Sequence, residues 1–287
     1  MIGKLIYENE RGGRLVFSHR SVYHMAEVTG LSDVRNTIFR ANSIGQDGDS
    51  CVGSRIESRE IEIVGSIRAQ DRDKMREYRR EMNRVLNPKY AATLTYECGD
   101  FRRLIDCRVE NAPIFSRKNI LQDFTVQLLC PEPFWREEKA REDILAGWVG
   151  GFEFPVEPDV AWEIGSKPPT IVNVYNEGNI PAGMVVEFRA RWGAVVNPSI
   201  VDLETGEYMR FKINIAQGDV LTANTGYSKK DAVLKSSDVG TNVLKLMDAG
   251  STFIQLAEGD NFFRCEAGSG ADNMETVVYH NGLYLGV

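Results

Sequence analysis

Three histidines, His19, His24 and His280, are the only imidazoles in the 287 residues, and a catalytic or metal centre built on them would need partners at fixed spacing. His19 and His24 stand five positions apart in a stretch without helical periodicity, and no HExxH occurs, so no metal site is expected. Gly268-Ser269-Gly270 is a lone glycine turn outside any strand-to-helix setting, and neither a GxSxG elbow nor a Walker sequence is present. Glu258 with Asp260, and Asp202 with Glu204, have the residue types of a glycosidase acid pair. All four fall in turn clusters, where carboxylates serve local hydrogen bonding and solvation. Trp162 and Trp192 are the residues that could stack on a sugar ring, against the ordinary reading of each as core. The expectation is a protein without catalysis, metal or cofactor, with Trp162 and Trp192 as candidate glycan contacts.

Cys51, Cys98, Cys107, Cys130 and Cys265 are odd in number, widely spaced and without a CxxC pair, which suggests neither a disulfide framework nor a zinc site. Cys98, Cys107 and Cys130 fall at inward strand positions, where a free thiol behaves as a small apolar residue. The acidic excess, formally −7, argues against a surface built to grip nucleic acid phosphates. Met1-Ile2-Gly3-Lys4-Leu5-Ile6-Tyr7 is too short and too soon charged to read as a signal peptide, and no apolar run approaches membrane-spanning length. A soluble protein made in a cytoplasm, with reduced cysteines and no membrane association, is expected.

The elements that would position any site are best signalled between Glu60 and Trp135. Ile61, Ile63 and Ile67 alternate with Glu60, Glu62 and Ser66, the pattern of a half-buried strand. From Asp71 to Leu86 the period changes: Met75, Tyr78, Met82, Val85 and Leu86 recur at three- and four-residue steps. Arg72, Lys74, Arg76, Arg79, Arg80 and Arg84 fill the other positions of this amphipathic helix. Asp71 and Asp73 suit its N-terminus, and Asn87-Pro88 ends it. The basic face reads as solvated or paired with other subunits. Tyr90–Cys98 and Phe101–Glu110 flank Gly99-Asp100, a two-residue hairpin loop that predicts Cys98 opposite Phe101, Glu97 opposite Arg102, Leu94 opposite Ile105 and Cys107 opposite Ala92. Leu94, Tyr96, Cys98, Phe101, Ile105 and Cys107 would then share one face, and a Cys98–Cys107 disulfide is excluded by the register. Phe124, Val126, Leu128 and Cys130 give a last strand, which Pro131 and Pro133 stop.

Upstream, Ile2–Tyr7 and Arg14–Phe17 read as short strands around the turn cluster Asn9 to Gly13, with a weak strand at Arg35–Ala41. Gln46 to Ser54 is a polar loop with spaced glycines. Its Asp47 and Asp49 lack the glycine and glutamate positions of a calcium loop, so it reads as an extended arm. Downstream of Gly147-Trp148-Val149-Gly150-Gly151 no helical period appears. Short apolar stretches follow, among them Thr170–Tyr175, Met184–Ala190, Val243–Leu246, Thr252–Leu256 and Glu275–Tyr284, separated by turn signals, as in a β-sandwich or jelly roll. The predicted organisation is an N-terminal domain over 1–140, a linker over 141–150 and a sandwich over 151–287.

Taken in order, Asp47-Gly48-Asp49, the strand Arg59–Ile67, the helix, Leu86-Asn87-Pro88, the hairpin and Pro131-Glu132-Pro133-Phe134-Trp135 resemble the distal tail protein family of siphophage-type, long-tailed bacteriophages (Dit-like proteins). Asn176-Glu177-Gly178-Asn179-Ile180-Pro181-Ala182, Ile215 to Asp219, Phe253 to Asn261 and Tyr284-Leu285-Gly286-Val287 are similar to that family's second half. The resemblance covers nearly the whole chain and implies a mainly β fold with one short helix. An N-terminal, β-barrel-like belt domain would carry the helix, followed by a C-terminal galectin-like β-sandwich. It also implies a structural virion protein at the tail tip, synthesised in the bacterial host cytoplasm. Its amino-terminal domains would form a hexameric ring between the tail tube protein and the tail-tip or tail-associated lysin protein, near the tape-measure protein, with DNA passing only through the lumen. Gln46–Arg55, with Asp47, Gly48, Asp49 and Arg55, would be an arm toward a neighbouring copy or the tube. The ring would finish a sheet left open in each single copy. The rival readings are a carbohydrate-binding adhesin module recognising host wall glycans and, third, a glycan hydrolase.

Overall fold

A computed structural model describes residues 3–45, 47–116, 121–146, 149–150, 165–166, 171–237 and 239–287. The chain divides into two compact units, Met1–Glu138 with Tyr284–Val287, and Lys139–Leu283.

The first unit contains β1 (Lys4–Asn9), β2 (Arg14–Ser18), β3 (Tyr23–Thr29), β4 (Asn36–Ala41), β5 (Ser50–Ile56), β6 (Arg59–Arg68), α1 (Arg72–Val85), β7 (Ala92–Cys98), β8 (Phe101–Phe115), β9 (Leu121–Cys130) and β10 (Trp135–Arg136). Strands pair in the order β8-β7-β1-β2-β3-β6-β9, and β9 pairs again with β8, so seven strands close into a barrel. Only β2 and β3 run parallel within it. The expectation of an open sheet completed by other copies is therefore wrong. β8 is the reason: it runs 15 residues, past the predicted Glu110, pairing its first half with β7 and its second with β9. Pairing with β9 takes over at Arg108 opposite Leu129, directly after Cys107 opposite Ala92, and continues past register shifts between Val109 and Ile114, where Pro113 has no N–H to give a ladder.

Alternation fills the interior. β6 buries Arg59, Ile61, Ile63, Gly65 and Ile67, and β9 buries Phe124, Val126, Leu128 and Cys130; these meet Leu5, Tyr7, Phe17, Met25, Leu94 and Ile105 in one core. The hairpin has the register its turn predicts. At its tip the shared face runs past the core, leaving Phe101 41% exposed and Tyr96 and Cys98 half-buried. Helix α1 starts at the Asp71 carboxylate, which accepts from the Asp73 and Lys74 amides at 2.9 and 2.8 Å, and it packs Met75, Met82 and Val85 onto the barrel.

The second unit contains β11 (Arg141–Ala146), β12 (Val149–Gly150), β13 (Gly165–Ser166), β14 (Ile171–Asn176), β15 (Met184–Ala190), β16 (Val195–Val196), β17 (Ser199–Asp202), β18 (Tyr208–Arg210), β19 (Asn214–Ile215), β20 (Val220–Asn224), β21 (Asp231–Ser236), β22 (Val239–Asn242), β23 (Gly259–Glu266) and β24 (Met274–His280). A six-stranded sheet, β11-β24-β15-β20-β21-β22, and a four-stranded sheet, β14-β23-β17-β18, form a sandwich. Val186, Phe188, Leu221 and Val278 of the first share a core with Val174, Ile200, Met209 and Phe263 of the second. Four expectations need correcting. Residues 141–146 of the predicted linker are a strand, because Leu145 is buried in this core and β11 pairs along β24. Tyr284–Val287 belongs to the first unit, since Tyr284 and Val287 pack against the barrel core. Leu244–Leu246 is a 3-10 turn, and Thr252–Leu256 lies outside any named strand, held by the bridge from Leu256 to Ala182, by the Thr252 amide donating to the Tyr208 carbonyl at 2.9 Å and by the burial of Ile254.

Candidate interaction arm

β4 and β5 form a two-stranded sheet of their own, from Asn36 opposite Ile56 to Ala41 opposite Ser50, with one irregularity after Phe39. Successive strand residues point to opposite faces, so the adjacent Ile38 and Phe39 put an apolar side chain on each; they are 53% and 51% exposed. Val52 is 70% exposed and Ile44, near the tip, is fully so. Asp47, Gly48 and Asp49 are exposed at the tip, where Gly48 takes the left-handed φ of +80° and Asp49 pairs with the Arg40 guanidinium at 3.4 Å. Arg55, opposite Thr37 near the root, is exposed too. Three of the four predicted residues lie together at the tip of the hairpin and Arg55 lies apart from them near its root.

The root is built differently. The Glu57 amide donates to the Arg35 carbonyl at 2.9 Å, and the Thr37 hydroxyl donates to the Glu57 carboxylate. Arg59, three residues past β5, turns inward with the parity of Ile61 and is 3% exposed. Its guanidinium donates to the Pro133 carbonyl at 2.7 Å, to those of Gly30, Leu31 and Asp33 at 2.8, 3.0 and 3.3 Å, and to that of Leu285. Burial lowers its pKa, opposed by nearby Cys130 and Asp33, and the planar fork lets one cation satisfy carbonyls from three segments. The Trp135 indole donates to Leu31 at 2.9 Å. Gly30 has φ +83°, and a Cβ there would lie 2.0 Å from the Glu60 carbonyl oxygen, so the chain turns into the arm only through glycine. The root is held by hydrogen bonds, while the hairpin it carries leaves apolar side chains exposed and, as an isolated two-stranded ribbon, has little core of its own.

The other candidates are dispersed. Trp192 follows β15 in the second unit; it is 46% exposed and its amide donates to the Asn273 carbonyl at 3.4 Å. Trp162 lies outside the described residues. The Asp202 carboxylate accepts from the Glu204 amide and the Thr205 hydroxyl, both at 2.9 Å, and Asp260 accepts from Asn173 at 2.6 Å, which is turn and sheet bonding. The His19 and His24 rings lie 5.5 Å apart between centroids at a tilt of 59°, and desolvation, then Arg68 and His19, lower the His24 pKa. Among the described residues no group of three or more His, Cys, Asp or Glu gathers to hold a metal ion. On α1, Lys74 pairs with Glu77 and Arg76 with Asp73, while Arg79 lies over the Phe115 ring at 4.8 Å. Sequence reasoning missed Ile38, Phe39, Ile44, Val52 and Arg59. The inward parity of Arg59 on an alternating strand, and two adjacent apolar residues in an otherwise polar stretch, were the available signals.

Two family models match. The phage tail protein RIFT-related domain covers residues 29–130, which contain the arm, its root and the closing strands of the barrel. The siphovirus-type tail component, C-terminal domain, covers residues 177–282. No curated protein matches the chain. Among solved structures, the Dit (gp 19.1) protein of phage SPP1, described as a paradigm of the hub adsorption apparatus in phages infecting Gram-positive bacteria, aligns over 97% of this chain and 98% of its own. The TM-score is 0.69 at 11% identity. A chain of the phage P2 baseplate in its activated conformation with calcium aligns over 98% of each chain, with a TM-score of 0.54 at 13% identity. At such identities the likeness is one of fold.

Proposed function

The chain belongs to the siphophage distal tail (Dit-like) protein family and is a structural component of the phage tail, and on that premise we propose that its first unit assembles, by way of the β4–β5 arm, into a hexameric ring. The ring joins the tail tube to the tail-tip or tail-associated lysin protein, close to the tape-measure protein, and leaves a lumen for DNA. The subunit is made in the host cytoplasm and its task involves no catalysis. The observation that carries this reading is the combination of a barrel without an open edge and an arm that exposes Ile38, Phe39, Ile44 and Val52. Since β-pairing within the barrel is complete, contacts between copies, or with the tube, fall to the arm, where Asp47, Gly48, Asp49 and Arg55 set polarity around an apolar centre. Light scattering on the purified chain, with negative-stain images, tests it. The parent chain should form rings, whereas Ile38→Asp with Phe39→Asp should give folded monomers. Equal assembly of parent and variant would refute a role for the arm.

A second reading is favoured by one observation, the exposure of Trp192. An accessible indole is a stacking surface for a sugar, so the second unit would recognise host wall glycans. Binding to purified wall polysaccharide should then be abolished by Trp192→Ala or Trp162→Ala in protein that stays folded. Undiminished binding by both variants would remove the tryptophans from consideration.

A further inference from the structure

Two thiols in the barrel wall have no part in the tail reading. β8 and β9 close the barrel in the antiparallel register Arg108 opposite Leu129 and Val109 opposite Leu128. One step along the same ladder, with both chains still extended, Cys107 comes opposite Cys130. Residues so placed point to the same side of the sheet, and both sulfurs lie in the barrel core, at 3% and 0% exposure. Directly opposed residues of antiparallel strands have Cα atoms about 4.5–5.5 Å apart, inside the span of roughly 4.4–6.8 Å that a disulfide bridges. Burial first, and then a charge on Cys130, raise the Cys107 pKa, which places the two groups within electrostatic reach. Both are free thiols here. The hairpin register keeps Cys98 away from Cys107, and the β8–β9 ladder brings Cys130 to it from the other side.

We propose that Cys107 and Cys130 form a latent redox pair, which a peroxide converts into a cross-strand disulfide over the closing seam of the barrel. Cys130 is the first to react, because the Arg59 guanidinium lies beside it and favours its thiolate, against burial that pushes its pKa up to about 12. The Cys130 sulfur takes one oxygen from hydrogen peroxide, becoming a sulfenic acid and releasing water. The Cys107 sulfur then attacks the Cys130 sulfur, the S–S bond forms as the S–O bond breaks, and hydroxide leaves with the Cys107 proton as a second water. Two thiols lose two electrons and two protons, and one peroxide becomes two waters. Burial makes the reaction wait on opening of the β8–β9 seam, so exposed Cys51 is oxidised faster.

The test is peroxide treatment of the full native chain followed by peptide mapping. A linked pair of peptides carrying Cys107 and Cys130 is expected, lighter by two hydrogens and separated by dithiothreitol, together with amide exchange in β8 and β9 slowed about tenfold or more. Cys107→Ser and Cys130→Ser should each abolish the link. Oxidised Cys51 beside unlinked Cys107 and Cys130, or a link that forms only in denaturant, overturns the proposal. The mapping is done on the parent chain, so the result stands even if a variant folds poorly.

Discussion

Arg59 shows how much one side chain can organise. Its hydrogen bonds reach the turn before the arm, the segment after β9 and the returning Leu285, so the residue that fixes the arm's root also ties in the far end of the chain. Arg59→Met keeps much of the volume and removes every donor, leaving buried carbonyls unsatisfied. A loss on the order of 3–5 kcal/mol is expected from urea unfolding, and Arg59→Lys should recover only part of it, because an ammonium lacks the planar fork. A second residue gives a pH signature. Burial works against the Glu275 carboxylate, yet hydrogen bonds from Arg191 at 2.8 Å and Arg189 at 3.1 Å hold its pKa below the ordinary carboxylate value. A depressed carboxylate stabilises the fold above its unfolded pKa, about 4.3, and that contribution is lost as pH falls through the lower, folded value. Glu275→Gln should therefore lower stability near neutrality and flatten its fall below about pH 4.3; an unchanged acid limb would contradict this. At this scale the sequence was readable where parity was regular. Arg59 could have been placed inward from Ile61 and Ile63, but nothing local shows which carbonyls await it, since they come from distant segments.

Among the elements, the ones written by burial were legible and the ones written by exposure were not. The β7–β8 register followed from a two-residue turn, and α1 from its apolar stripe and the Asp71 cap. β3 was missed because a bulge between Met25 and Glu27 breaks its alternation. β5 reads as loop in the sequence because neither of its faces is buried, and a strand without a core face has no period to show. The barrel's closure was hidden for another reason: one long strand, β8, pairs its first half with β7 and its second with β9, and no local pattern marks the point between Cys107 and Arg108 where one pairing gives way to the other. The arm yields a prediction of its own kind. Its side chains contribute little to the barrel core, so replacing residues 38–54 by a short turn should leave the unfolding midpoint in urea close to that of the parent while abolishing assembly. A large loss of stability would mean that the arm belongs to the fold and is not a docking device.

For the whole molecule, a closed barrel and a sandwich each hold an apolar core of their own. The family assignment and the fold agree with the ordered resemblance along the sequence, while the idea of an unfinished sheet does not survive the pairing of β8 with β9. What replaces it, on the proposed function, is a closed barrel whose contacts with other copies run through the β4–β5 hairpin. The most direct measurement is light scattering coupled to size exclusion, run side by side on the parent chain and the chain lacking residues 38–54. Six copies per particle for the parent and one for the shortened chain are predicted; a parent that stays monomeric across a wide concentration range, even with its tail partners present, would contradict the account.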